Sequence, residues 1–150
     1  MKVKEIMKKE VVSIKPDDNA LEALRELFKM KISGLPVIDA QGELKGMFTE
    51  KEVLSYLLPS YIEKVGSFVY EENPKATKKK FAALSGMKVS QIMRKEVVTT
   101  TEDTTLCEVA RIMLIQKARR LPVMDKSGKV AGIIARCDIA EALAKETAQI

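Results

Sequence analysis

Two stretches of this 150-residue sequence, GMFTEKE and GIIARCD, combine residue types that suit binding of a phosphate and a sugar. Each joins the end of a predicted strand to the start of a predicted helix, at residues 46–52 and 132–138. The free N–H groups and the positive end of a helix favour an anion such as phosphate. A carboxylate one turn into the helix, Glu52 or Asp138, could accept two hydrogen bonds from a ribose diol. Both stretches are candidate nucleotide-binding junctions.

Basic residues are concentrated around the second junction. Three precede the strand LPVMD and one follows the last strand: Lys117, Arg119, Arg120 and Arg136. The guanidinium group matches the geometry of phosphate oxygens. The corresponding part of the first half offers only Lys31. We therefore expect phosphate to bind at the second junction. Plainer interpretations stay open, namely a solvated Arg119-Arg120 pair, Asp138 as an ordinary acid at a helix start, and Thr49 as a helix cap.

The composition argues against most enzymes. The sequence has no histidine, so it cannot build a Ser-His-Asp or Cys-His pair. Its two cysteines, Cys107 and Cys137, are too few for a disulfide framework, suit a reducing compartment and are expected to be structural. We expect Cys137 to be a small buried residue rather than a reactive thiol. We predict no enzymatic activity, no metal site and no cofactor.

Composition also indicates the class of protein. With 46% hydrophobic and 31% charged residues and no apolar run long enough to cross a membrane, the sequence resembles an ordinary globular protein. A basic N-terminus without a following apolar segment predicts a cytoplasmic location.

The sequence is a duplication. At an offset of 86, residues 3–54 align with residues 89–140 without a gap, and 17 of the 52 positions are identical. The identities include the pattern IM.KEVV and, later, LPV.D..G.

Each copy predicts the element order β-α-β-β-α. Short β-branched runs, EVVSIK and EVVTTT, precede a helix in each copy. The predicted caps of these helices are Asp17-Asp18-Asn19 in the first copy and Asp103-Thr104-Thr105 in the second. That helix has an apolar stripe at i, i+3, i+4, i+7 and i+8, which ends at Phe28 in the first copy and Leu114 in the second. The strands GLPVID and RLPVMD follow, then a tight turn, a partner strand and a second helix. The first two strands of each copy are expected to be parallel.

One copy of about 52 residues would be marginally stable by itself. Two copies packed face to face would bury a sizeable core about a pseudo-twofold axis, with a cleft that suits a ligand. We predict an α/β protein made of repeat 1 at 1–54, a helical connector at 55–88 and repeat 2 at 89–150.

These motifs, in the same order twice at one offset, resemble the CBS (cystathionine-β-synthase) domain, which occurs as a tandem pair called a Bateman module. The resemblance covers residues 3–54 and 89–140. It implies regulatory binding of an adenosine compound such as AMP, ADP, ATP or S-adenosylmethionine. In such pairs the junction has the pattern Thr/Ser-x-x-Asp/Asn, with the hydroxyl toward phosphate and the acid toward ribose. Here the pattern is split, because Thr49 is followed by Glu52 whereas Ala135 is followed by Asp138.

The same resemblance implies where the adenine would lie. In the second copy it would lie between the strand edge at Val98 to Thr100 and the segment from Ala118 to Pro122. The corresponding positions for the weaker site of the first copy include Ser13 and Ile32.

The connector, residues 55–88, has no counterpart in the duplication. It holds six lysines against three glutamates, and all three tyrosines. Its aromatic residues suggest packing over the edge of the pair or against another subunit, and Pro74 predicts the start of a short helix.

Three functions stay open: a nucleotide-sensing regulatory module acting on an effector protein, a nucleic-acid-binding protein using the connector's lysines, or an adaptor with non-binding clefts. Partly uncovered apolar faces on the second helices predict a homodimer: Val53, Leu54, Leu57, Ile139 and Leu143.

Overall fold

The computed structural model describes residues 1–58 and 74–147. The chain divides into two compact units. One, the C-terminal unit, consists of Met1–Val12, Gln41–Leu44 and Val97–Ile150; the other, the N-terminal unit, consists of Ser13–Ala40 and Lys45–Glu96. The N-terminal 12 residues thus belong to the same unit as the second sequence copy, while the start of that copy belongs to the N-terminal unit. The repeat boundaries drawn from the sequence remain a prediction, because they mark where the sequence repeats, whereas the two units are defined by contacts in the structure.

The mixed α/β order expected from the sequence is confirmed. Ahead of the first repeat helix lies a short helix, α1 (Val3–Ile6). The first copy then forms α2 (Ala20–Met30), β1 (Gly34–Ile38), β2 (Leu44–Thr49) and α3 (Glu50–Leu57). The second forms β3 (Thr100–Thr101), α5 (Leu106–Gln116), β4 (Arg120–Met124), β5 (Val130–Ala135) and α6 (Arg136–Thr147).

The connector contributes a helix where Pro74 predicted one. This helix, α4 (Pro74–Ala83), is followed by a 3₁₀ turn at Leu84–Gly86. The prediction that the connector's aromatic residues pack over an edge falls largely on residues 59–73, which lie outside the described residues. Tyr56 is half-buried against the apolar core of the N-terminal unit, and Phe81 is 40% exposed.

Strand pairing in the C-terminal unit follows the predicted β-α-β arrangement. The order is β3-β4-β5, with β3 parallel to β4 and β4 antiparallel to β5. In the N-terminal unit the first predicted strand is only an isolated parallel bridge between Ile14 and Val37. The parallel direction is therefore confirmed, but the strand EVVSIK is much shorter than expected.

The helices of both copies begin at the predicted caps. The side chain of Asn19 accepts a hydrogen bond from the N–H of Glu22, at 3.1 Å. Thr105 does the same for Glu108, at 3.3 Å. Each cap satisfies a backbone donor that the first helical turn would otherwise leave free.

The apolar stripe is narrower than predicted. Its first four positions on α2, from Ala20 to Leu27, are at most 3% exposed, but Phe28 is 59% exposed and Leu114 is 71% exposed. The eighth residue after the stripe begins is rotated by about 80° from its first, so it lies at the edge of the buried face. The prediction that the buried faces of α2 and α5 include Phe28 and Leu114 was wrong.

The second helices also differ from the prediction. Val53 and Ile139 are buried in the two cores, at 4% exposure each, whereas Leu54 and Leu143 are exposed.

Cys107 and Cys137 are free and exposed, so the expectation of buried, structural cysteines was wrong. The first turn of α6 turns Cys137 outward and Ile139 inward.

Each core takes a valine from the start of the opposite sequence copy. Val3 is fully buried beside Leu106, Val109 and Ile134, and Val89 is fully buried in the core of the N-terminal unit. The repeated motif IM.KEVV of the first copy therefore belongs to the C-terminal unit. Among the described residues, no helix has the length and apolar character needed to span a membrane.

Candidate functional site

The junction between β5 and α6 holds Asp138 close to the helix start. One carboxylate oxygen of Asp138, Oδ2, accepts a hydrogen bond from the N–H of Ala135 at 2.9 Å. Its side chain is only 11% exposed, and its second oxygen, Oδ1, lies 4.0 Å from Nζ of Lys8. Asp138 thus caps the start of α6 through Oδ2, in agreement with the plainer interpretation, while Oδ1 makes only the long contact with Lys8.

Hydrogen bonds join the segments that carry the predicted cations at this junction. The backbone N–H of Arg136 donates to the carbonyl of Arg119 at 3.1 Å, and Nε of Arg136 donates to the carbonyl of Ala118 at 3.0 Å. Arg120 begins β4 and pairs with Ala135. The segment that precedes β4 and the first turn of α6 are therefore one local structure.

The side chains of this cluster differ in exposure. Arg119 and Arg136 are exposed, and Arg120 is half-buried. Lys117 is exposed and ends α5 in the left-handed backbone conformation, with φ at 54°. The segments that meet at this junction carry these four cations beside the carboxylate of Asp138, a balance of charge that favours an anion.

The residues predicted to contact the base in the second copy are less exposed than Lys117, Arg119 and Arg136. Val98 and Ala118 are half-buried against the core of the C-terminal unit, and Pro122 is buried. Thr100 is 5% exposed, and its hydroxyl is the one buried side-chain polar atom without a hydrogen-bond partner in residues 1–58 and 74–147. The corresponding position of the first copy holds Ile14, which is apolar and equally buried.

The junction between β2 and α3 is arranged differently. The hydroxyl of Thr49 donates to the carboxylate of Glu52 and accepts a hydrogen bond from the N–H of Lys51, at 3.2 Å. The two polar side chains predicted to contact a ligand thus bond to each other across the first helical turn. Of the remaining predicted residues here, Ser13 is exposed and Ile32 is half-buried.

Lys8 is the residue that sequence reasoning missed at the candidate site. It occupies the one variable position inside the repeated pattern IM.KEVV, where the second copy has Arg94. A basic residue at that position in both copies was the available signal. Its place beside Asp138 depends on the exchange of N-terminal segments, which no pattern in the sequence indicated.

A pocket of about 550 Å³ opens elsewhere on the C-terminal unit, at the carboxyl ends of β3 and β4. It contains none of the predicted site residues. Its lining includes Asp103, which is paired with Lys4 at 3.1 Å, and Asp125, which accepts hydrogen bonds within its own turn. Those internal partners occupy the charges that a ligand would need.

Comparison with known proteins supports the interpretation of the duplication. The family model described as CBS domain matches residues 3–59 and again residues 89–145. The protein MJ1426 of Methanocaldococcus jannaschii is 31% identical, over 95% of this chain and 91% of its own length. Inosine-5'-monophosphate dehydrogenase of Aquifex aeolicus is 31% identical over 85% of this chain, but that match spans only 21% of the enzyme.

A solved structure extends the similarity to three dimensions. The structure of CBSX2, a protein of Arabidopsis thaliana, in complex with AMP superimposes with a TM-score of 0.75 at 27% sequence identity. The match covers 97% of this chain and 98% of that one.

Proposed function

The chain belongs to the CBS-domain family, and from that premise we propose that it is a regulatory module that binds an adenine nucleotide. The observation that supports the proposal is the β5–α6 junction, where the capping acid Asp138 lies in the helical turn whose Arg136 is bonded to the segment that carries Arg119. An acid flanked by cations is the arrangement that a ribose 5'-phosphate requires. The AMP bound by the similar protein CBSX2 is a ligand of this chemistry.

Each residue of the junction has a role in this proposal. Asp138 accepts hydrogen bonds from the ribose hydroxyls through Oδ1 while Oδ2 keeps the helix capped. Arg119, Arg120 and Arg136, with Lys117, bind the phosphate. Backbone groups near Val98 and Ala118 bind the edge of the base, and Pro122 and Thr100 support those segments from the core.

The N-terminal unit is the weaker site in this proposal. Thr49 and Glu52 satisfy each other, so a nucleotide would have to break their hydrogen bond before using either group. Ser13 and Ile32 would flank the base there. We propose that this junction binds nucleotide more weakly than the β5–α6 junction. It would stay largely empty at ligand concentrations that saturate the β5–α6 junction.

The proposed module has no catalytic activity and no cofactor of its own. The absence of histidine from the sequence supports this. Similarity to a short part of inosine-5'-monophosphate dehydrogenase shows that related segments also occur inside an enzyme. We propose that the chain acts on an effector protein, that it is cytoplasmic, and that it forms a homodimer through exposed apolar residues of its helices, Phe28, Leu54, Leu114 and Leu143.

Nucleic-acid binding is the second candidate function, and one observation favours it. Lys78, Lys79 and Lys80 are all exposed on α4. A lysine-rich helix attracts a phosphate backbone without selecting a sequence. The three lysines lie in the N-terminal unit, whereas the predicted arginines lie in the C-terminal unit, so the two functions depend on different residues.

Isothermal titration calorimetry with AMP, ADP, ATP, S-adenosylmethionine and a short oligonucleotide separates these candidates. We expect saturable binding of at least one phosphorylated adenosine compound, accompanied by a higher melting temperature. Binding to the oligonucleotide alone, with affinity that falls steeply with salt, would support the second candidate instead.

A further inference from the structure

The N-terminal segment adds a cation to the junction that holds Asp138. Lys8 and Ile133 exchange two backbone hydrogen bonds, each 2.9 Å long. Through these bonds the N-terminal segment pairs with the edge of β5, although the two segments are far apart in the sequence. The position of Lys8 is therefore set by the backbone, not by its own flexible side chain.

A glycine permits this close approach. A Cβ atom at Gly132 would meet Sδ of Met7 at 2.7 Å and the carbonyl oxygen of Lys8 at 2.8 Å. Both distances are shorter than real Cβ contacts allow, so any side chain here would push the N-terminal segment away. Gly132 thus keeps Lys8 beside the end of β5.

The ammonium group of Lys8 is available to a ligand. Its Nζ lies 4.0 Å from Oδ1 of Asp138, which is longer than the roughly 2.7–2.9 Å of a charge-assisted hydrogen bond. The Lys8 side chain is 72% exposed, so its three N–H donors remain open to solvent. The attraction to Asp138 holds the ammonium group near the acid without consuming its hydrogen-bonding capacity.

The positive charge of Lys8 also reaches a second carboxylate of α6. The pKa of Glu141 is lowered, chiefly by a hydrogen bond from Lys145 and to a smaller extent by the charge of Lys8. Glu141 lies three residues after Asp138 and so on the same face of α6. The contact with Asp138 places Lys8 beside the first turn of α6, where Arg136 is bonded to the segment that carries Arg119.

We propose that Lys8 is a ligand-contacting residue that makes the site of the C-terminal unit selective for phosphorylated adenosine compounds. This inference rests on the proposed nucleotide-binding function and assigns part of it to a residue outside the second sequence copy. The ammonium group of Lys8, 4.0 Å from Oδ1 of Asp138, is assigned to the 5'-phosphate of a nucleotide whose ribose binds Asp138. It would add a fifth cation to the four predicted from the sequence.

The test compares AMP with adenosine on Lys8→Ala. AMP carries the phosphate and adenosine does not, so loss of a phosphate contact should weaken AMP binding alone. We expect the Kd for AMP to rise about threefold to tenfold and the Kd for adenosine to stay unchanged. The AMP affinity of the variant should also depend less on salt.

Two matched controls remove one positive charge without touching this junction. Lys9→Ala alters the exposed neighbour of Lys8, and Arg94→Ala alters the corresponding position of the N-terminal unit. Both should bind AMP as the wild type does, and melting curves should show all three variants folded. Equal weakening of AMP and adenosine by Lys8→Ala, or an effect no larger than that of Lys9→Ala, would overturn the role of Lys8. A wild-type chain that binds none of AMP, ADP, ATP and S-adenosylmethionine would overturn the proposed function itself.

Discussion

At the scale of single residues, the two junctions differ in the hydrogen-bond partners of their acids, Glu52 and Asp138. Glu52 has the Thr49 hydroxyl as its partner, because the longer side chain reaches back across the first turn of its helix. Asp138 has no such partner, because the cap position before it is Ala135. Without a neighbouring hydroxyl, Asp138 uses Oδ2 for the N–H of Ala135, and its Oδ1 has only the long contact with Lys8.

Thr100 gives a prediction about stability at the same scale. Its buried hydroxyl lacks a partner, which costs about 1–3 kcal/mol of folding free energy. Thr100→Val keeps the shape and removes the unpaired group, so the free energy of unfolding should rise by about 1 kcal/mol. Chemical denaturation measures this change.

The neighbouring Thr101 is the control for that experiment. It is exposed, and its hydroxyl lies 2.9 Å from that of Thr104. Thr101→Val should therefore give no gain in stability. A Thr100→Val variant less stable than the wild type would show that the hydroxyl has a stabilising role inside the core.

At the scale of elements, the sequence was informative where a pattern depends on neighbours along the chain. Caps at Asn19 and Thr105, the turns before β2 and β5, and the helix at Pro74 all involve residues a few positions apart, and each was predicted correctly. The exposure of Phe28 and of Cys137 was not, because burial at the edge of a helical face depends on what packs against it.

The packing of the N-terminal segment on β5 leads to a second stability prediction. Gly132→Ala places a methyl group against Met7 and Lys8, so it should destabilise the fold by about 1–3 kcal/mol. Gly86→Ala is the matched control, since a Cβ atom there meets nothing within 4 Å. If denaturation curves show the two variants to be equally stable, the segment does not pack as described.

At the scale of the whole molecule, the duplication predicted two similar units but not their composition. Matching of residues 3–54 to 89–140 located the repeats, yet Val3 and Val89 pack in the unit formed mainly by the other copy. Sequence similarity shows that two segments have a common pattern, whereas only long-range contacts show which core each segment joins. For the same reason Lys8 could not be placed beside Asp138 from the sequence.

The exposed apolar residues predict the state of association. Phe28 and Leu114 occupy the same position in the two copies, and both are more than half exposed. Burial of such residues in a twofold dimer would remove this surface from water. Light scattering at tens of micromolar should give about twice the mass of one chain, and Phe28→Ser with Leu114→Ser should shift it toward a monomer. A wild-type monomer under those conditions would contradict the proposed dimer.

The most direct test of nucleotide binding at the β5–α6 junction is calorimetric titration of AMP into the wild type, Asp138→Ala and Glu52→Ala. Loss of charge-assisted hydrogen bonds to the ribose should cost Asp138→Ala about 1.5–3 kcal/mol, or roughly tenfold to a hundredfold in Kd, while Glu52→Ala should change the Kd far less. Because Asp138 also caps α6, Asp138→Asn, which can still accept the Ala135 hydrogen bond, separates the loss of charge from the loss of the cap. Equal losses in Asp138→Ala and Glu52→Ala, or AMP binding undiminished in Asp138→Ala, would contradict the assignment of the site to this junction.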